Sequence, residues 1–414
     1  MRIVIKMKHF IVDASGSKCK PSLQIMCRHH CHWSLHPNSL GIKGQSYQLL
    51  LQVCLGLGMR PLITFQRSYA SLTSHHFLLC PSTTTLYHLE EGKYCLTGGH
   101  DRSVRLWNPF RYDPAATSST TTPASSTGRP SSIPPALPIQ TYTAGYTHPI
   151  TSVTATESRT ATQILVAASR ETLVVSDLIT QQLKRRFQGH HVSTINAVAA
   201  AKHAEAYLSA SYDGTVAIWD GRSSDTRPIQ VLKDAKDSVT DVHIVQNDSD
   251  CCIIRTSSVD GKVRTYDVRK GLLHTDDCGS PITSMALTKD GECLAVSCLD
   301  GTIRLLQQQQ PQGGEEAGGG GELLNTFTGH QAGNYALQVG ILANDETILS
   351  ASEDGTCILY DLVRATRVQA LQVAPGRPVC AIATHPKHSS VVITASYNET
   401  TTVWSHDSSQ FYAE

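Results

Sequence analysis

YLSASYDGTVAIWD, residues 207–220, is the stretch whose reading decides the fold. Two runs of alternating apolar residues, Leu208 to Tyr212 and Thr215 to Trp219, flank Asp213-Gly214. Alternation of period two around Asp-Gly is the strongest short-range signal of a β-hairpin. The phrase returns as CLTGGHDRSVRLWN (95–108), IRTSSVDGKVRTYD (254–267), LAVSCLDGTIRLLQ (294–307), ILSASEDGTCILYD (348–361) and VITASYNETTTVWS (392–405), with a worn copy, LVAASRETLVVSDL (165–178). With two low-complexity inserts discounted, the period is roughly 40–45 residues, the mark of a propeller array. One hairpin cannot bury its own apolar face, so the copies must stack.

Composition narrows the functional classes. Lys plus Arg and Asp plus Glu both number 35, so the net charge is zero. That balance argues against bulk electrostatic attachment to nucleic acid or to a membrane surface. Nine of the basic residues but only one acid, Asp13, precede Ser74, which leaves the repeats mildly acidic. The 13 cysteines are an odd number, and those of the repeats, among them Cys95, Cys251, Cys252, Cys293, Cys298, Cys357 and Cys380, fall mostly in strand-like runs. They read as reduced core residues of a cytosolic or nuclear protein. The longest apolar run, Leu49 to Met59, is shorter than the ~20 residues of a membrane helix. No P-loop, G-x-S-x-G or HExxH motif occurs, so no catalytic residue and no cofactor are expected.

The repeats resemble those of the WD-repeat family, in which a Gly-His pair precedes the first strand and a Trp-Asp pair closes the third. Blade three carries Gly189-His190, Asp213 and Trp219-Asp220, and blade six carries Gly329-His330, Asp354 and Tyr360-Asp361. The resemblance implies an all-β, seven-bladed propeller of four-stranded blades. A turn carboxylate buried between blades needs donors. His190, Ser209 or Ser211, and Trp219 are the expected ones for Asp213, with His330 and Tyr360 in the same parts beside Asp354. These residues are therefore assigned to structure rather than to catalysis.

Three regions lie outside the repeats. Residues 1–75 fit no blade and read as a poorly ordered extension or a mis-assigned start of the reading frame, with a mitochondrial presequence as the further alternative. Their Cys27, His29, His30, Cys31 and His32 lack a second pair at tetrahedral spacing, so no metal site is expected. The propeller is placed at 76–405 and a tail at 406–414. Its first blade is expected to have a degenerate inner strand, Thr83 to His88, and its ring to be fastened by Phe77-Leu78-Leu79-Cys80, paired as the outer strand of blade seven. The inserts, 111–137 (Ser/Thr/Pro-rich) and 307–321 (QQQQPQGGEEAGGGG), both fall between third and outer strands, hence on one face.

That leaves the other face clear. The residue before each turn Asp, namely His100, Tyr212, Val259, Leu299, Glu353 and, before Asn398, Tyr397, should form a mixed rim on it. Such a rim suits a protein or peptide partner, and the alternative is an ordinary solvated edge. Trp219-Asp220-Gly221-Arg222 and Tyr266-Asp267-Val268-Arg269 resemble the WDxR box of substrate receptors of cullin-RING ubiquitin ligases, which makes Arg222 and Arg269 candidate adaptor contacts. Thr122-Pro123 and Lys184-Arg185-Arg186 are weaker signals of a kinase site and a kinase-docking run.

Specific oddities of the repeats, EGKYCLTGGHDRSVRLWNP (91–109), SVDGKVRTYDVRKG (258–271), GSPITSMALTKDGECLAVSCLDGTIRLL (279–306) and SASEDGTCILYDLV (350–363), are similar to a branch of the family that serves mitogen-activated protein kinase scaffolding and the spliceosome. This resemblance implies a non-enzymatic scaffold, monomeric within larger complexes, in cytoplasm and nucleus. Kinase-cascade components and splicing factors would be its partners.

Overall fold

The computed structural model describes residues 24–26, 32–34, 60–65, 88–89, 92–112, 136–157, 163–201, 205–246, 252–308, 321–397 and 400–405. The chain divides into two units, 1–57 and 58–414. In the first, Gln24–Met26 pairs antiparallel with His32–Ser34. The Cys27 to Cys31 run lies outside the described residues.

The second unit is built of seven four-stranded sheets. Blade three shows the pattern: Ile195–Ala200 is innermost, followed by Ala206–Ser211, Val216–Asp220 and the outer Gln230–Leu232. The hairpin between its middle strands is a three-residue loop, not the two-residue Asp-Gly turn read from the sequence. The Gly214 N–H donates to Ser211 O, the Ser211 N–H donates to Thr215 O, and Gly214 sits at φ 78°. This is a type I turn closed by a left-handed glycine. It places Tyr212 at the apex and turns Asp213 back toward the sheet.

From blade two to blade six, each inner strand or the residue just before it is bonded to the next blade. Register shifts mark a bulge near the start of five inner strands, between Ile150 and Ser152, Ile195 and Ala197, Val239 and Asp241, Ile282 and Ser284, and Val379 and Ala381. A bulge frees a polar residue from the ladder and re-aims it. Ser152 Oγ accepts from the Val198 N–H at 3.1 Å, and Asn196 Nδ2 donates to Val239 O at 2.7 Å. Asp241 Oδ2 accepts from the Met285 N–H at 3.2 Å, Thr283 Oγ1 donates to Leu337 O at 3.0 Å, and Gln338 Oε1 accepts from the Ile382 N–H at 3.0 Å. These bonds sit above apolar interfaces. Between blades two and three the cluster holds Val166, Leu173, Phe187, Ile195, Tyr207 and Trp219. Trp219 is fully buried with its ring 5.0 Å from that of Phe187, and truncating such a side chain costs about 3–5 kcal/mol.

The ring closes differently from the sequence expectation. Arg60–Phe65 pairs antiparallel with Thr401–Ser405 as the outer strand of blade seven, Arg60 opposite Ser405 and Phe65 opposite Thr401. The clasp is therefore not Phe77-Leu78-Leu79-Cys80, which lies outside the described residues, and the propeller reaches back into the segment 1–75. Pro61 suits this place because an outer strand has one unpaired edge, where a missing N–H costs nothing. Blade one begins with a two-residue inner strand, His88–Leu89. Blade seven packs on blade one through Cys95, Trp107, Ala383, Ile393 and Val403.

Alternation of strand direction sorts the connections. All second-to-third turns and blade-to-blade loops share one end of the sheets, here called the turn face. First-to-second and third-to-fourth connections share the other. The third strand of blade one ends at Tyr112 and its outer strand starts at Ala136. In blade five the third strand ends at Gln307 and the outer strand starts at Glu322. Both inserts thus leave from the end opposite the turn face.

Candidate protein-interaction face

The turn carboxylates are engaged by two main devices, a histidine of the incoming loop in blade three and an arginine of the same hairpin in blades one, four and five. In blade three, a chain of hydrogen bonds runs from Trp219 Nε1 to Ser209 Oγ at 2.8 Å, from Ser209 to His191 Nε2 at 2.7 Å, and from His191 Nδ1 to Asp213 Oδ2 at 3.0 Å. Thr215 and the Val192 N–H complete the shell of Asp213. The histidine is His191, which corrects the sequence assignment to His190. The His190 ring stacks edge-on to Trp219 at 5.9 Å instead. His191 stands four residues before Ile195, the first residue of the inner strand, and that spacing decides which of the two neighbours faces the turn.

Burial pushes the Asp213 carboxyl up, but hydrogen bonds from Thr215 and His191 outweigh it and hold it below the usual carboxylate range. Burial lowers His191 below the ordinary histidine value, against the pull of Asp213. A neutral ring donates from Nδ1 and accepts at Nε2, as this chain requires.

Blade six does not form the network that its sequence promises. His330 stands seven residues before Leu337, against four for His191 and Ile195, so its longer loop carries the ring away from the turn. Neither ring nitrogen of buried His330 has a hydrogen-bond partner. Ser350 Oγ turns to Ala351 O, Asp354 is served by Thr356, and Tyr360 packs against Phe327 with ring centroids 5.6 Å apart.

Blades one, four and five use arginine. Arg105 meets Asp101 at 2.6 Å, Arg264 meets Asp260 at 2.6 and 3.2 Å, and Arg304 meets Asp300 at 2.8 Å. The Arg264–Asp260 pair is the most buried, with side chains 4% and 8% exposed. The signal was in the sequence as Asp-x-x-x-Arg in DRSVR, DGKVR and DGTIR. Blades three and six carry Ala217 and Ile358 at that fourth position, and they are the two with a Gly-His loop.

With their aspartates engaged, the turns hold the rim residues rigidly. The backbone N–H of Tyr212 donates to Thr194 O, Val259 to Ser238 O, Leu299 to Pro281 O, Glu353 to Gln331 O and Tyr397 to Pro378 O, all within 2.8–3.0 Å. His100 is exposed and Tyr212 is 51% exposed, while Val259, Leu299, Glu353 and Tyr397 are half-buried. Glu353 is not a free rim charge. Its carboxylate accepts from the N–H groups of Asn334 and Tyr335 and from Asn334 Nδ2, which fixes that loop. Tyr335 then lies 5.4 Å from Tyr397, ring to ring, across blades six and seven. Tyr335 and Val192, which is 81% exposed beside Tyr212's turn, are rim members that counting back from each turn Asp cannot find.

Arg222 and Arg269 follow the third strands, on the end opposite the rim. Arg222 is 59% exposed and its Nε donates to its own Asp220 at 3.1 Å. The Arg269 N–H donates to Asp267 at 2.7 Å. Among the described residues there is no group of three or more potential metal ligands, and no helix long and apolar enough to cross a membrane.

Comparison with known sequences agrees with this architecture. The WD domain, G-beta repeat model matches residues 68–108, 181–220, 271–306 and 321–361. The last three segments each run from one blade's outer strand to the third strand of the next, so the sequence repeat straddles two blades. The WD repeat domain-containing protein 83 homolog of Dictyostelium discoideum is 26% identical over 347 residues, covering 78% of this chain and 94% of that protein. WD repeat domain-containing protein 83 of Rattus norvegicus is 35% identical over 165 residues, 40% of this chain and 47% of that protein. Its Xenopus tropicalis counterpart is 39% identical over 175 residues, 42% and 50% respectively. The chain thus aligns with about half the length of the rat and frog relatives. These matches support the WD-repeat family, whose propellers are typically non-catalytic interaction platforms.

Proposed function

We propose that this seven-bladed WD-repeat propeller is a non-enzymatic scaffold that gathers protein partners on its turn face. The supporting observation is the rim itself: exposed Tyr212 and Val192 flank a turn whose carboxylate and backbone are already bonded, and the Tyr335–Tyr397 pair is held through backbone bonds to Glu353 and Pro378. Aromatic groups held without conformational freedom are the anchors that protein interfaces favour. Several partners held at once gain effective concentration without chemistry.

The finer reading follows the resemblance of the repeats to mitogen-activated protein kinase organizer 1. It gives kinase-cascade components in the cytoplasm and splicing factors in the nucleus as the partners. Affinity purification of the full chain with mass spectrometry, beside a Tyr212→Ala/Tyr335→Ala variant, tests both levels. Expected is a set of kinases or spliceosomal proteins that the variant loses. A cullin adaptor retained by that variant and lost by Arg222→Ala/Arg269→Ala would replace this reading with the ubiquitin-ligase receptor.

A further inference from the structure

Blade five departs from its neighbours at two positions that face each other. The residue before the turn apex is Ser211 in blade three, Ser258 in blade four and Ser396 in blade seven, and each hydroxyl donates to a carbonyl of the loop leading into its own blade. In blade five this residue is Cys298. The residue four before the inner strand, occupied by His191 in blade three, is Cys278 here, four before Ile282. Both cysteines are free and buried, they pack in one apolar cluster with Ile282 and Val296, and each thiol acts electrostatically on the other. Arg304 Nη1 lies 2.9 Å from Cys298 Sγ while its other nitrogen holds Asp300. Asp277 and Gly279 on either side of Cys278 are exposed, so the pair lies directly beneath the surface of the turn face.

A guanidinium against the sulfur disfavours a metal cation and favours a thiolate. The interaction with the Cys278 thiol, and then the Arg304 charge, outweigh burial and bring the Cys298 thiol below its usual range. Burial pushes Cys95 and Cys357 far up, and Cys293 is raised as well.

We propose that Cys278 and Cys298 form a thiol modification site, at which peroxide converts the pair to an intrachain disulfide. The Cys298 thiolate attacks one peroxide oxygen. The O–O bond breaks, a sulfenic acid forms on Cys298, and the departing hydroxide takes a proton to become water. The Cys278 sulfur then attacks the sulfenic sulfur, its proton leaves with the displaced hydroxide as a second water, and the S–S bond closes. Two sulfurs lose one electron each, and peroxide accepts both. The bond ties the loop between blades four and five to the strand directly below rim residue Leu299, and Arg304 is the positioning residue.

The test uses the full chain, treated with hydrogen peroxide, alkylated, cleaved after Lys and Arg without reduction, and read by mass spectrometry. Expected is a cross-link between the peptides 271–289 and 290–304, with Cys293 alkylated. It should form roughly tenfold faster than any change at Cys95 or Cys357. Cys278→Ser should instead accumulate a sulfenic acid on Cys298 that a cyclic diketone traps. Arg304→Gln should move the pH midpoint of the oxidation rate upward, which loss of packing alone would not do. No cross-link in the wild-type chain, a link through Cys293, or oxidation of Cys298 no faster than that of Cys95 overturns the proposal.

Discussion

Replacing His191 by Ala should cost about 3–5 kcal/mol, and replacing its neighbour His190 about 1 kcal/mol or less. The first substitution removes the His191 hydrogen bonds to Ser209 and to Asp213, each worth about 0.5–1.5 kcal/mol. It also strips a donor from an Asp213 side chain that is 10% exposed, a penalty of about 1–3 kcal/mol, and leaves a cavity beside Trp219. The second removes a half-buried ring whose contact is edge-on stacking. Urea unfolding followed by tryptophan fluorescence reads the difference as a shift in midpoint at constant slope. Ser209→Ala combined with His191→Ala should be less than additive by at least about 1 kcal/mol, because both act on one bonded chain. Equal cost for the two histidines, or a greater cost for His190, would show that the hydrogen-bond chain does not hold the loop to the hairpin.

Three further outcomes follow from the same geometry. Asp260→Asn strands a buried guanidinium and should cost about 3–5 kcal/mol, whereas Asp260→Asn/Arg264→Met should recover most of it, as denaturant midpoints will tell. His191 and His330 sit below the ordinary histidine value through burial. The unfolded chain takes up protons there below about pH 6.5, so their stabilisation is complete above that pH and lost as pH falls. Asp213 and Asp260 are lowered too, and add to the loss as pH falls below about 3.9. His243 is raised, its burial outweighed by Asp241, and contributes with the opposite sign, being lost as pH rises through its folded value. Calorimetry should therefore show the melting midpoint falling from pH 7 to pH 5, with a shallower slope for His330→Leu. Finally, a chain starting at residue 58 keeps the outer strand of blade seven and should elute as a single, unaggregated species and unfold cooperatively. One starting at 76 lacks the outer strand of blade seven, exposes the edge of Thr401–Ser405 and should aggregate on size exclusion.

The hairpins were legible because their signal is local: alternation, Asp-Gly and a closing aromatic all fall within 14 residues of YLSASYDGTVAIWD. The clasp was not, because nothing near Arg60–Phe65 shows that its partner is Thr401–Ser405. His190 and His191 are chemically the same, and only the register to Ile195 tells them apart. Cys298 and Arg304 look like ordinary strand residues until the hairpin folds them together. The Asp-x-x-x-Arg device was present in plain view, yet it acquires meaning only once the turn places i and i+4 side by side.

A ring sealed by joining its first strand to its last imposes an order in time. Roughly 340 residues separate Phe65 from Thr401, so on a ribosome adding about 5–20 residues per second the early strand waits tens of seconds for its mate. Through that interval six blades can assemble while the circle stays open, and the nascent chain must be sheltered until its final hairpin emerges.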